Sequence, residues 1–304
     1  MLADGYMSHF VTAQDGLKLH VRAYGSRDAG ILPLICLPGL TRTSADFHAL
    51  AGALSTDQQR YVVALDYRGR GLSDHDRNAD NYSFAVELAD VLAVVTALGV
   101  GRAVFLGTSR GGLLTRLLAT QRPTAIAGAI LNDIGPVIEI EGLMRLKGYV
   151  GKLPKPRNFE DGGEILGRLF GAQFPRLTSA DWLAAANQTW VEKNGELLPT
   201  YDIRLARTLE AVDPQRPMPP LWKEFDALAG VPLLVVRGAN SDLLSAATVA
   251  AMQARRSSME VIEVPDQGHA PLLVEPEIIR RIGAFVASCD ARLMPGQATT
   301  SATR

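Results

Sequence analysis

The sequence predicts an α/β protein built on a mostly parallel sheet with helices on both faces. Three observations carry that prediction. Short apolar runs at 32–37, 61–65, 103–106 and 125–131 alternate with segments of helical spacing. The runs are apolar at successive positions, as strands buried on both faces must be. The chain between them is long enough for the crossovers that parallel strands require.

The elements follow in order. Residues 9–13 and 17–24 alternate in the β manner, and Asp15-Gly16 between them suits a hairpin with a tight primed turn. The run 32–37 ends at Pro38-Gly39 and is followed by helical spacing over 44–54. The strand 61–65 leads into Asp66-Tyr67-Arg68-Gly69-Arg70-Gly71. A long helix is expected over 83–98, with Ser83 as N-cap and Gly99 past its end. The strand 103–106 precedes a helix over 111–119, and 125–131 is the next strand. The alternation then stops. Residues 139–225 read as mainly helical, with helices near 140–150, 160–171, 179–193 and 202–210, and Thr178 to Asp181 resembles a capping box. Strands at 232–236 and 261–264 and helices at 245–255 and 276–288 resume the rhythm. Residues 290–304 are expected as a frayed tail. This divides the chain into a core of 1–138 plus 226–289 and an inserted helical segment of 139–225.

Composition narrows the function classes. With 304 residues, 47% of them hydrophobic, the chain can bury a large core, which argues against a disordered protein. The 31 Lys and Arg against 32 Asp and Glu give none of the basic excess of a nucleic-acid binder. No apolar run approaches the ~20 residues of a membrane span. The start, MLADGYMSHF, lacks the basic-then-apolar order of a secretion signal. Cys36 and Cys289 sit in apolar surroundings and are expected as buried thiols of a reducing compartment. The expectation is a cytoplasmic protein with a small-molecule substrate, binding neither nucleic acid nor membrane.

The chemistry is written in Gly107-Thr108-Ser109-Arg110-Gly111, a G-x-S-x-G pattern. It directly follows an apolar strand and opens a helix, the setting in which a serine is held on a sharp turn with its hydroxyl exposed. A serine needs a base. Of the five histidines, His9 and His20 lie in the hairpin, His48 on a helix and His75 in a polar loop. His269 alone lies in a loop just past a late strand, at the sheet edge where open α/β folds bind ligands. The base in turn needs a carboxylate. Asp242, in the loop after 232–236, is favoured; Asp133, after 125–131, is the rival, otherwise a loop-capping residue beside Asn132 and Gly135. The tetrahedral intermediate needs two donors, expected as the backbone N–H groups of Arg110 and Leu40. Acyl transfer by a serine and a histidine base needs neither metal nor organic cofactor, and no His, Cys and Glu cluster has metal-ligand spacing.

On these residues the chain resembles the α/β-hydrolase superfamily over roughly residues 10–288, within it the capped bacterial carboxylesterases. The order Ser109, Asp242, His269 is that family's order, and 66–74 looks like its loop after the fourth strand. Arg110 after the nucleophile is a less usual residue, and the spacing from Gly238 to Asp242 is one longer than the commonest form. The resemblance implies that 139–225 is a helical cap that sets substrate range. Trp182, Trp190 and Trp222 are then candidate pocket residues, and Arg42 and Arg110 candidates for holding a substrate carboxylate. It implies a serine hydrolase of small to medium apolar carboxylic esters. A lactonase, a thioesterase, a C–C bond hydrolase, or a binding protein that kept the fold are the alternatives.

Overall fold

The structure, a computed structural model, describes residues 5–216 and 218–292. Its first two strands, β1 (Met7–Thr12) and β2 (Lys18–Tyr24), form the expected hairpin. The turn differs from expectation. Of its residues only Gly16 has positive φ, and its N–H bonds back to the Ala13 carbonyl. This is a three-residue loop ending in a left-handed glycine rather than a primed two-residue turn.

The parallel part comprises β3 (Leu34–Leu37), β4 (Val62–Leu65), β5 (Ala103–Thr108) and β6 (Ile126–Asn132). Between them run α1 (His48–Asp57), α2 (Phe84–Ala97) and α3 (Arg110–Gln121). Ser83 caps α2 through its side chain, as its position before the helix predicts.

Between β6 and the next sheet strand lies the inserted segment. It contains α4 (Ile140–Tyr149), α5 (Phe159–Phe170), α6 (Ser179–Thr189), the hairpin β7 (Trp190–Lys193) and β8 (Glu196–Pro199), and α7 (Trp222–Asp226). The Thr178–Asp181 capping box forms at α6. The hairpin corrects the helix expected through 193. Asn194 and Gly195 both have positive φ, the backbone of a primed two-residue turn, and this stops α6 at Thr189. The main sheet resumes with β9 (Leu233–Gly238), α8 (Ala246–Arg255), β10 (Glu260–Val264) and α9 (Pro276–Ala291). Helix α9 runs into the stretch expected as tail; residues 293–304 lie outside the described residues.

The eight-stranded sheet has the order β1-β2-β4-β3-β5-β6-β9-β10, antiparallel at β1–β2 and β2–β4 and parallel from β4 onward. Side-chain alternation distributes each strand over two cores. Ile35 and Leu37 pack with Leu88, Val91, Leu114, Leu118 and Met252 on one face. Leu34 and Cys36 pack with Leu50, Leu54, Ile282 and Phe285 on the other. Both cysteines are free and buried. Among the described residues no helix is long and apolar enough to cross a membrane.

This order fixes where a ligand can sit. From β3 the chain moves to β4 on one side, then crosses to β5 on the other. The loops leaving β3 and β5 therefore diverge, and a crevice opens at their carboxyl ends.

Candidate active site

Ser109 stands at that crevice, between the last residue of β5 and the first of α3, with φ 51° and ψ −111°. A non-glycine residue adopts such a conformation only where its surroundings over-determine it. Here three glycines remove the obstacles. A Cβ on Gly107 would lie 2.3 Å from the Gly111 carbonyl carbon, and one on Gly111 would lie 2.0 Å from the Leu37 oxygen. One on Gly112 would meet Ile134 at 2.3 Å. Helix α3 thus approaches β3 and β5 with no room for a methyl group. The Ser109 N–H donates to the Asn132 carbonyl at 2.9 Å, which ties the turn to β6.

His269 reaches Ser109 from the loop after β10. Its Nε2 lies 2.9 Å from Ser109 Oγ, and its Nδ1 lies 2.8 Å from Asp133 Oδ2. The loop is anchored from several sides. The Asn240 N–H donates to the Gln267 carbonyl, Gln267 Nε2 donates to Glu275, and Asn132 Nδ2 donates to the Pro271 carbonyl.

The acid is the main correction to the sequence reading: Asp133, not Asp242, meets the histidine. Asp133 is fully buried at the end of β6. Its Oδ1 accepts from the Gly238 N–H at 2.9 Å, and its Oδ2 accepts from Ser241 Oγ at 2.6 Å as well as facing His269. Asp242 is drawn elsewhere. Its carboxylate takes a two-pronged ion pair from Arg145 of α4, at 2.5 and 2.9 Å, and its carbonyl accepts from the Gly142 N–H. Burial works to raise the Asp242 carboxyl. The Arg145 hydrogen bond and charge outweigh it and hold the group below the usual carboxylate range. Ser241, which sequence reasoning passed over, joins the two loops through Asp133.

The expected oxyanion donors lie in the loops that follow β3 and β5. The Leu40 and Arg110 N–H groups have no acceptor among the described residues. Gly39 lies against the nucleophile, its would-be Cβ 3.9 Å from Ser109 Cβ. The Arg110 side chain turns away into the core and pairs with Glu87 at 2.5 Å. Arg42 pairs with Asp46 through two bonds of 2.7 Å and donates to Gln188 of α6 at 3.2 Å.

The three tryptophans all have packing partners. Trp190 is buried in a cluster with Ile165, Leu166, Ala186 and Leu197, and Trp182 packs against that cluster and edge-on to Phe174. Trp222 packs edge-on to Phe225 beneath the Arg255 guanidinium. Trp182 and Trp190 join α5 to α6, and Trp222 meets α8 through Arg255.

A second Ser–His–Asp chain exists among the described residues. Ser8 Oγ lies 3.1 Å from His20 Nε2, and His20 Nδ1 lies 2.7 Å from Asp66. Ser8 is an exposed strand residue, away from any helix N-terminus. Asp66 is also committed to the Ser44 and Leu72 N–H groups. This chain has the form of a cross-strand brace.

Comparisons with known proteins agree with this architecture. The model of the alpha/beta hydrolase family matches residues 34–281. The 3-hydroxybutyrate-oligomer hydrolase of Cupriavidus necator is 37% identical over 276 residues, 88% of this chain and 93% of that one. The 2-(acetamidomethylene)succinate hydrolase of Mesorhizobium japonicum is 28% identical over 94% of this chain and 99% of its own length. The crystal structure of an alpha/beta hydrolase from Novosphingobium aromaticivorans superposes with a TM-score of 0.86 at 41% identity, covering 93% of this chain and 98% of that one. A match that runs from β3 through the serine turn into α9 takes in the whole parallel sheet, and the chain belongs to the alpha/beta hydrolase family.

Proposed function

We propose that this hydrolase cleaves carboxylic esters of small to medium, mainly apolar substrates through an acyl-enzyme on Ser109. The observation that carries the reading is the continuous chain Ser109 Oγ–His269 Nε2 at 2.9 Å and His269 Nδ1–Asp133 Oδ2 at 2.8 Å, set on a positive-φ serine. His269 takes the Ser109 proton as Oγ attacks the carbonyl carbon, and the Leu40 and Arg110 N–H groups receive the developing oxyanion. His269 then protonates the leaving alkoxide. In the second half it takes a proton from the water that attacks the acyl-enzyme, and returns it to Ser109 Oγ as the acid leaves. Asp133 keeps His269 in the tautomer that leaves Nε2 free to accept.

In this reading residues 139–225 act as the cap. The segment docks on the loops around the crevice through Arg145–Asp242, Arg42–Gln188, and the Asn240 Nδ2 bond to the Gln173 carbonyl. The Cupriavidus relative, named as a hydrolase of 3-hydroxybutyrate oligomers, supports short hydroxyacid esters within the class. A C–C bond hydrolase would want a free guanidinium for a substrate carboxylate. Arg42 and Arg110 are instead paired to Asp46 and Glu87, which favours the ester reading.

The test is hydrolysis of p-nitrophenyl esters from acetate to octanoate, and of short 3-hydroxybutyrate oligomers, by wild type and by Ser109→Ala. Turnover by wild type and a loss of about 10³-fold or more in the variant are expected. Undiminished turnover in Ser109→Ala would refute the assignment.

A further inference from the structure

Beneath the serine turn lies a carboxylate that the mechanism above does not use. Glu87, in the first turn of α2, is fully buried and holds two arginines at once. Its Oε1 lies 2.7 Å from Arg70 Nη1, and its Oε2 accepts from Arg110 Nε at 2.5 Å. Each arginine leads to one side of the oxyanion site. Arg110 is itself the residue after the nucleophile. Its guanidinium is further fixed by a 3.0 Å bond to the Tyr82 carbonyl and lies 4.1 Å over the Phe84 ring. Arg70, also fully buried, donates through Nε to the Leu40 carbonyl at 2.9 Å.

We propose that Glu87 is a positioning residue of the oxyanion hole, holding both of its backbone donors in register through Arg70 and Arg110. The inference rests on the ester-hydrolase reading and adds to it. The Leu40 loop leaves β3 and the Arg110 turn leaves β5, and at the crevice these two strands send their chains apart. Sheet hydrogen bonds therefore stop setting the distance between the two donors at the point where catalysis needs it. Glu87, on neither strand, spans the gap with a charge-assisted hydrogen bond to Arg110 and a close ion pair to Arg70. The arrangement is otherwise an expensive one. Burial disfavours the Arg70 cation, Glu87 opposes that effect, and the Arg110 charge adds to it; the net hold on the proton is weaker than for a free guanidinium. Removing the Glu87 charge leaves two buried cations facing each other, with nothing common to hold them.

A merely structural carboxylate and a positioning one predict different kinetics. Sulfur in place of the carbonyl oxygen lengthens the bond and weakens the acceptor. The rate ratio of an ester to its thionoester therefore reads how well the donors fit the oxyanion. The experiment compares a p-nitrophenyl ester and its thionoester in wild type, Glu87→Gln and Glu87→Asp. In Glu87→Gln the ester kcat is expected to fall about 10–100-fold with KM within about threefold, and the ester-to-thionoester ratio to fall about tenfold. Glu87→Asp should recover part of the ratio.

Equal losses on both substrates, or no loss, overturn the proposal while leaving the ester reading intact. A faster Glu87→Gln overturns it too, because the added positive charge would then outweigh geometry. A wild type that turns over no ester overturns both. If Glu87→Gln does not fold, Arg70→Lys decides. It keeps a cation beside Glu87 but loses the Nε donor to Leu40, so the ratio should fall; an unchanged ratio refutes the inference.

Discussion

Asparagine at position 133 separates the two candidate acids, and the hydrogen bonds show why. Asp133 Oδ2 faces two donors, His269 Nδ1–H and Ser241 Oγ–H, while Oδ1 faces the Gly238 N–H. An asparagine has one oxygen and one NH₂ to place. With the oxygen toward His269, the NH₂ meets the Gly238 N–H, and two buried donors oppose each other at a cost of about 1–3 kcal/mol. With the oxygen toward Gly238, His269 accepts at Nδ1, and the Ser241 hydroxyl, which already accepts from the Leu243 and Leu244 N–H groups, gives up its bond to position 133. That second arrangement is favoured, and it moves the imidazole proton to Nε2, where it blocks acceptance from Ser109. The kcat of Asp133→Asn should fall about 10³–10⁴-fold, equivalent to about 4–5.5 kcal/mol of barrier. Asp242→Asn breaks only the half-exposed pair with Arg145 and should keep kcat within about tenfold. Steady-state ester hydrolysis by both purified variants, folding confirmed by circular dichroism, measures this. A loss of 10³ or more in Asp242→Asn with a mild Asp133→Asn would refute the argument.

Two further predictions concern what holds the site together. Gly111→Ala drives a methyl group into the Leu37 carbonyl and should destabilise the protein by about 3 kcal/mol or more, read as a lower urea midpoint; a midpoint within error of wild type would contradict the close α3–β3 approach. Asp202 joins the inserted segment to the loop after β4 through Tyr82 and Arg204, and Arg204 also donates to the Asp76 carbonyl. Burial works to raise its carboxyl, but bonds from Arg204 and Tyr82 prevail and lower it to about 2. A depressed carboxyl contributes stability above its unfolded value, near 3.8, and loses it as pH falls toward 2. The unfolding free energy of wild type, read from thermal melts, should therefore drop by about 1–2 kcal/mol more between about pH 4 and 2 than that of Asp202→Asn. Parallel curves would show that this carboxylate is not under strain of charge.

Much of this was legible in the chain. Apolar runs marked β3, β5 and β6 because strands covered on both faces need apolar residues throughout, and the glycines around Ser109 marked a turn with no room for side chains. The β7–β8 hairpin carried its signal in Asn194-Gly195, which the helical spacing before it outweighed. The acid was less legible. Asp133 and Asp242 follow neighbouring strands, and the choice depends on where a loop turns in space. The Ser241 N–H bonds back to Gly238, and Asp242 is carried to Arg145 on a distant helix. Glu87 was hidden for the same reason. It looks like an ordinary acidic residue in the first turn of a helix, and only its spatial neighbours Arg70 and Arg110 give it a role.

The most direct test of Ser109 as the nucleophile is covalent trapping. An activated serine attacks the phosphorus of a fluorophosphonate, displaces fluoride and stays phosphonylated. The account predicts one adduct per chain by intact mass, located by peptide mapping on Ser109 and absent from Ser109→Ala. An unlabelled wild type, or an adduct on Ser8 beside His20 and Asp66, would contradict it.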